Sequence, residues 1–126
     1  MTRLQQLFEE QGQSPWLDNL RRGWITSGEL QAWVDKGIRG ITSNPSIFQK
    51  AMGTGNDYDE QLRGLAKQEI VDAYWALVVQ DIEDALRILR PVHDASDGQD
   101  GYVSVEVAPS LARATDGAIA AARELP

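Results

Sequence analysis

Three places in the sequence set a side chain able to hold or move a proton at the end of an apolar stretch. Asp18 follows Trp16 and Leu17, while Thr42, Ser43 and Asn44 follow Gly40-Ile41. Glu106 lies in the run YVSVEVA, residues 102–108. Two carboxylates and an amide can take, return or share protons. A carboxylate takes or returns a proton, and an amide both donates to and accepts from a hydroxyl, which an ionised carboxylate cannot do. Each residue also has a plainer reading. Asp18 suits a turn or cap, Asn44 suits the N-cap of a helix whose first residue is Pro45, and Glu106 suits a solvent-facing place on an edge strand. Repetition favours a shared site, because three successive strands would each finish in a polar group at the same end.

The elements that must position these groups follow from periodicity. Leu4, Leu7 and Phe8 at helical spacing predict a short helix over 3–11, broken by Gly12 to Pro15. SPWLDNL, 14–20, reads as a brief strand. Thr26 and Glu29 have capping-box spacing before a helix bearing Leu30, Trp33 and Val34, with Gly37 as its stop. A second strand is expected over 37–42, then a short helix from Pro45 to the Gly53-Thr54-Gly55-Asn56 loop. Residues 57–90 read as helical with a break near Gly64. Ile70, Tyr74, Leu77, Val78, Ile82, Leu86 and Leu89 form one apolar face, and Pro91 is the expected end. HDASDGQDG, 93–101, reads as a polar loop. YVSVEVA is the clearest strand, and Thr115 or Asp116 would cap a last, alanine-rich helix.

Strands alternating with helices predict βα units and a parallel sheet. Both faces of a parallel strand are normally buried, so Glu106 is expected inside, near the strand's C-terminal end. In a (β/α)8 barrel that end faces the active site. Three strands cannot close a barrel, and the last helix runs to Leu125-Pro126 where a fourth strand is expected. The sequence therefore reads as the front part of one larger barrel domain.

Composition narrows the classes. With 126 residues, 42% hydrophobic and 25% charged, the chain suits one globular domain. A net charge of −7 argues against nucleic acid or an anionic membrane as partner, though a small phosphorylated substrate needs only a local basic pocket. The absence of cysteine excludes disulfides and thiolate metal sites, and suits a cytoplasmic protein. His93 is the only histidine, so a metal site is not expected. Gly53 to Gly55 lacks phosphate-loop spacing. Trp16, Trp24, Trp33 and Trp75 read as packing residues, with Trp24 a candidate to line a pocket. Asp81, Glu83 and Asp84 read as a solvated helix face.

Taken together, WLDNLRR (16–22), GITSNPSIF (40–48) and DGYVSVEVAP with the following SLA resemble the transaldolases. IFQKAM (47–52) and DIEDALRILRP (81–91) resemble the family's longer bacterial type. The resemblance implies a class I aldolase built as a (β/α)8 barrel with an extra N-terminal helix, of which these residues supply three βα units. It implies transfer of a dihydroxyacetone unit from sedoheptulose 7-phosphate to glyceraldehyde 3-phosphate in the pentose phosphate pathway. The route is a lysine Schiff base, with no metal or organic cofactor. By position, Asp18 corresponds to the acid/base for the substrate's C4 hydroxyl and Asn44 to a side chain that hydrogen-bonds substrate hydroxyls, with Thr42 beside it. Glu106 corresponds to the acid/base that works through the catalytic water.

The family's Schiff-base lysine belongs to the strand after the one bearing Glu106. Lys36, Lys50 and Lys67 do not match it by position, so the nucleophile is expected outside these residues. A second expectation, from another class, is a non-catalytic module. Such a chain would pair with a complementing C-terminal chain that carries the lysine, or bury its open edge against a copy of itself. A third is an aldolase-like barrel with an altered substrate.

Overall fold

The computed structural model describes residues 1–125. Helix α1 (Arg3–Gln11) begins at a capping box: Thr2 Oγ1 accepts from the Gln5 amide, and the Gln5 side chain accepts from the Thr2 amide at 2.7 Å. Strand β1 (Trp16–Leu17) leads to α2 (Arg22–Ser27) and α3 (Glu29–Asp35), then β2 (Gly40–Ile41) leads to α4 (Pro45–Met52), α5 (Asp59–Gly64) and α6 (Ile70–Ala95). Strand β3 (Tyr102–Val103), a 3-10 turn at Pro109–Leu111 and α7 (Thr115–Arg123) complete the order. The sheet is parallel, ordered β1-β2-β3. It is the N-terminal part of a (β/α)8 barrel, with α1 as the extra helix before β1.

Register decides which side chains share a face. Trp16, Gly40 and Tyr102 lie in one row, and Leu17, Ile41 and Val103 in the next. The second row faces the helices. Ile41 is buried with Leu20, Leu30, Phe48, Val78, Ile82 and Leu89, and Leu17, Val103 and Val105 pack against that core. The first row faces away, leaving Trp16 38% and Tyr102 44% exposed. Gly40 is required here, because a Cβ would lie 2.3 Å from the Trp16 indole.

The N-terminal ends of the strands are locked by a polar cluster. Asp100 accepts from Ser14 Oγ and from Arg39 Nε, each at 2.6 Å, and the Arg39 guanidinium lies 3.5 Å from the centroid of the Phe8 ring. Burial alone would raise the Asp100 carboxyl, but the Ser14 hydroxyl and the Arg39 cation outweigh it and hold it below the usual carboxylate range.

Several sequence expectations change. Thr26 and Glu29 make no capping box: Thr26 sits inside α2, with its hydroxyl donating to the Arg22 and Gly23 carbonyls. Gly28, at φ 83°, divides α2 from α3, and the Glu29 amide donates to Ser27 Oγ instead. Pro91 does not end α6. It lies on the exposed side of the helix, where the hydrogen bond it cannot make to the Arg87 carbonyl is lost at the surface, and the helix runs on to Ala95. Thr115 is the first residue of α7 rather than its cap, and neither Thr115 nor Asp116 caps it. Ile70 is 87% exposed instead of joining the apolar face of α6. His93 is in the last turn of α6, half-buried, its ring edge-on to Tyr102 at 5.5 Å. No helix among the described residues is long and apolar enough to cross a membrane.

Candidate active site

Each polar group sits just past a strand end. Asp18 and Thr42 follow the paired rows of β1 and β2, and backbone ladder bonds extend to them: the Thr42 amide donates to the Leu17 carbonyl at 2.9 Å. Strand alternation then turns Asp18, Thr42 and Ser104 to the face of Trp16 and Tyr102. Thr42 Oγ1 donates to Asp18 Oδ1 at 2.6 Å, tying the ends of β1 and β2 through side chains.

The TSNP turn is fixed from below and from within. Ser43 is buried, and its hydroxyl donates to the Ser104 carbonyl at 2.5 Å, which fastens the end of β2 to β3. Asn44 is the N-cap of α4: its backbone is extended, and Oδ1 accepts from the Ile47 amide at 2.9 Å. Pro45 takes the first helical position, as the sequence predicts. Capping occupies only the amide oxygen, so the Asn44 NH2 makes no hydrogen bond among the described residues.

Asp18 and Asn44 line one cavity of about 450 Å3, together with Arg21, Ser46, Lys50 and Thr54. Neither Arg21 nor Lys50 is ion-paired among the described residues, so this acidic chain presents a local cationic rim beside its two polar strand ends. Sequence reasoning missed both. Arg21 stands directly in the WLDNLRR run, and Lys50 lies on the Asn44–Ile47 side of α4, which helical spacing from Asn44 could have revealed.

Glu106 is placed differently from the expectation. The strand expected over 102–108 pairs only at Tyr102–Val103, so Glu106 lies three residues beyond it and is exposed rather than buried. It lines a separate cavity of about 420 Å3 with Pro45, Gln49, Met52, Tyr74 and Trp75, on another face of α4 from the Asp18 cavity. The structure thus joins Asp18, Thr42 and Asn44, and sets Glu106 across the first turn of α4. Trp24 packs against the core and lines neither of these cavities.

Asp81 is the largest correction. It was expected on a solvated face, but it is 0% exposed. Tyr58 Oη donates to its Oδ2 at 2.5 Å and Arg22 Nε to its Oδ1 at 2.7 Å. Burial, followed by the Asp81 hydrogen bond, pushes the Tyr58 phenol well above its ordinary value, so it stays a donor. A signal was present: Asp81 falls between Val78 and Ile82, inside the apolar stripe of α6. Among the described residues no group of three His, Asp or Glu side chains is arranged to hold a metal ion.

A parallel βα array with polar groups at the carboxyl ends of its strands places the chain in the α/β class, where sites form at that end. Comparison narrows the class. Residues 15–126 match the transaldolase/fructose-6-phosphate aldolase family, and the chain belongs to it. It is 44% identical over 128 residues to transaldolase 2 of Streptomyces avermitilis, covering 99% of this chain and 34% of that protein. It is 48% identical over 119 residues to transaldolase 2 of Nostoc punctiforme, covering 92% and 31%, respectively. The transaldolase of Thiobacillus denitrificans is 47% identical over 117 residues, covering 90% and 33%. The chain spans about a third of the length of these curated relatives.

Proposed function

We propose that these residues form the first three βα units of a transaldolase barrel, and that the complete polypeptide moves a dihydroxyacetone unit from sedoheptulose 7-phosphate to glyceraldehyde 3-phosphate. The similarity of nearly the whole chain to proteins named transaldolase carries this reading. The cationic rim beside Asp18 and Asn44 agrees with an anionic sugar substrate.

In this reading a lysine outside these residues condenses with the ketone at C2 of the donor and releases water, with Glu106 relaying protons through that water. Asp18 accepts the C4 hydroxyl proton as the C3–C4 bond breaks and the aldose leaves. The remaining three-carbon enamine adds to the aldehyde carbon of the acceptor, and Asp18 returns the proton to the new hydroxyl. Thr42 holds Asp18 through the hydrogen bond at 2.6 Å. Asn44, its oxygen committed to the helix, offers its NH2 to a sugar hydroxyl.

Steady-state assay of a transaldolase-length polypeptide containing this segment tests the proposal. Erythrose 4-phosphate and fructose 6-phosphate should form only when both donor and acceptor are present. Release of free dihydroxyacetone from fructose 6-phosphate as the main reaction would favour the family's aldolase activity instead. Absence of any three-carbon adduct after borohydride treatment would refute the Schiff-base route.

A further inference from the structure

The cavity lined by Asp18 and Asn44 has two walls, which come from distant parts of the chain. One is the segment from Asp18 to Arg21, between β1 and α2. The other is α4 with the loop after it, including Ala51 and Thr54. Neither wall is held by a strand ladder along its length. Both converge on one side chain. Arg22, next to Arg21, donates to Asp81 and to the Leu77 carbonyl at 3.2 Å, and its guanidinium lies 4.3 Å from the centroid of the Tyr58 ring. Tyr58, which packs with Ala51 and Leu77, donates to the other Asp81 oxygen. The segments that continue these walls also approach each other, since a Cβ on Gly23 would lie 2.8 Å from the Asp57 carboxylate.

We propose that Asp81 is a positioning residue that holds both walls of this cavity, through Arg22 on one side and Tyr58 on the other. Its two carboxylate oxygens take one donor from Arg22, the residue after the first wall, and one from Tyr58, which packs on Ala51 of the second, so the cavity's width and the placement of Asp18 are set from beneath by α6. Only three residues lie between Asp18 and Arg22, and Leu20 within that link is fully buried. Any slack in the Arg22 anchor therefore reaches Asp18. Glu106 lines the other cavity, across α4 from Asp18, and makes no hydrogen bond to Arg22, Tyr58 or Asp81. The consequence is selective: loosening the anchor impairs C3–C4 cleavage and spares imine formation. The inference rests on the transaldolase reading.

The test uses the transaldolase-length polypeptide with fructose 6-phosphate and borohydride, reading adduct mass. Cleavage before trapping leaves a three-carbon adduct, and its failure leaves a six-carbon one. Asp81→Asn should shift the ratio of three-carbon to six-carbon adduct at least tenfold toward six carbons while total adduct stays within about twofold. Tyr58→Phe should shift it in the same direction by a smaller factor. Asp100→Asn, at the opposite end of the strands, controls for general destabilisation and should leave the ratio unchanged. If Asp81→Asn does not fold, Tyr58→Phe and Arg22→Lys decide. An unchanged ratio in the folded variants, or an equal shift in Asp100→Asn, overturns the positioning role. If the unsubstituted polypeptide traps no adduct, the transaldolase reading fails and this inference falls with it.

Discussion

Asn44 shows how one side chain can serve structure and chemistry at once. Its oxygen caps α4, leaving the NH2 toward the cavity. Two substitutions separate these duties. Asn44→Ala should lower stability by about 1 kcal/mol through loss of the cap. Asn44→Asp should keep the cap, since Asp is as good an N-cap as Asn, yet lose both N–H donors. In the transaldolase-length polypeptide its kcat/KM is expected to fall roughly 10-fold or more, as for an unmet hydrogen bond of about 1.5 kcal/mol. Unchanged kcat/KM in Asn44→Asp would remove Asn44 from substrate binding. Glu106 is exposed, so Glu106→Gln should leave stability within about 0.5 kcal/mol. Its turnover should drop by ~10²–10⁴-fold, the usual contribution of one acid/base group. Near-normal turnover would show that Glu106 moves no proton in the reaction.

Two joints between elements carry predictions of their own. Gly101 turns the chain from α6 into β3 at φ 88°, and a Cβ there would lie 2.6 Å from the His93 backbone nitrogen. Gly101→Ala meets a backbone atom as well as an unfavourable φ, so a loss of about 2 kcal/mol or more is expected in chemical denaturation. The second joint is the Ser14–Asp100–Arg39 cluster. The native Asp100 carboxyl is held below its usual value, so its contribution is fully present above the unfolded value of about 3.9. It is lost as pH falls through the lower native value. The stability gap between the unsubstituted protein and Asp100→Asn should therefore be widest near neutral pH and narrow below about pH 4. A gap that widened in acid would mean that Arg39 and Ser14 do not stabilise the ionised carboxylate. Elements were legible where a cap or turn residue acts locally, as at Asn44-Pro45 and Gly37. Pro91 misled because proline can kink a helix without ending it, and here it falls on the exposed side of one that is packed on the core.

At the scale of the molecule the accessible surface is 8300 Å2. A compact monomer of this mass would expose roughly 6,700 Å2, so about 1,600 Å2 more is open than a closed domain would leave. Much of the reason is visible in the sheet, where β1 and β3 are edge strands and Trp16 and Tyr102 are left partly exposed. Residues 1–126 alone are expected to self-associate or aggregate, which size-exclusion chromatography with light scattering would detect. A monomer that melts cooperatively would contradict this and favour the independent-module reading. The same residues should form no borohydride-trapped sugar adduct. Lys36, Lys50 and Lys67 are exposed and lie off the strands, whereas a Schiff-base amine is activated by desolvation or a neighbouring cation. A stoichiometric three-carbon adduct on any of them, seen by mass spectrometry, would overturn that expectation.

The sequence by itself determined the parallel βα order, the cap at Asn44, the alternation along YVSVEVA and the family. These depend on near neighbours or on a motif read in line. Tertiary structure alone decided the burial of Asp81, the exposure of Glu106 and the split of the polar strand ends between two cavities. Asp81 is spelled like its solvated neighbours Glu83 and Asp84. Its burial depends on two donors, Arg22 and Tyr58, that lie 59 and 23 residues away. Glu106 lies three residues beyond β3, in a run whose alternation reads as a strand buried on both faces, yet it is exposed. Periodicity tells which residues share a face, but only the three-dimensional arrangement tells what, if anything, covers that face.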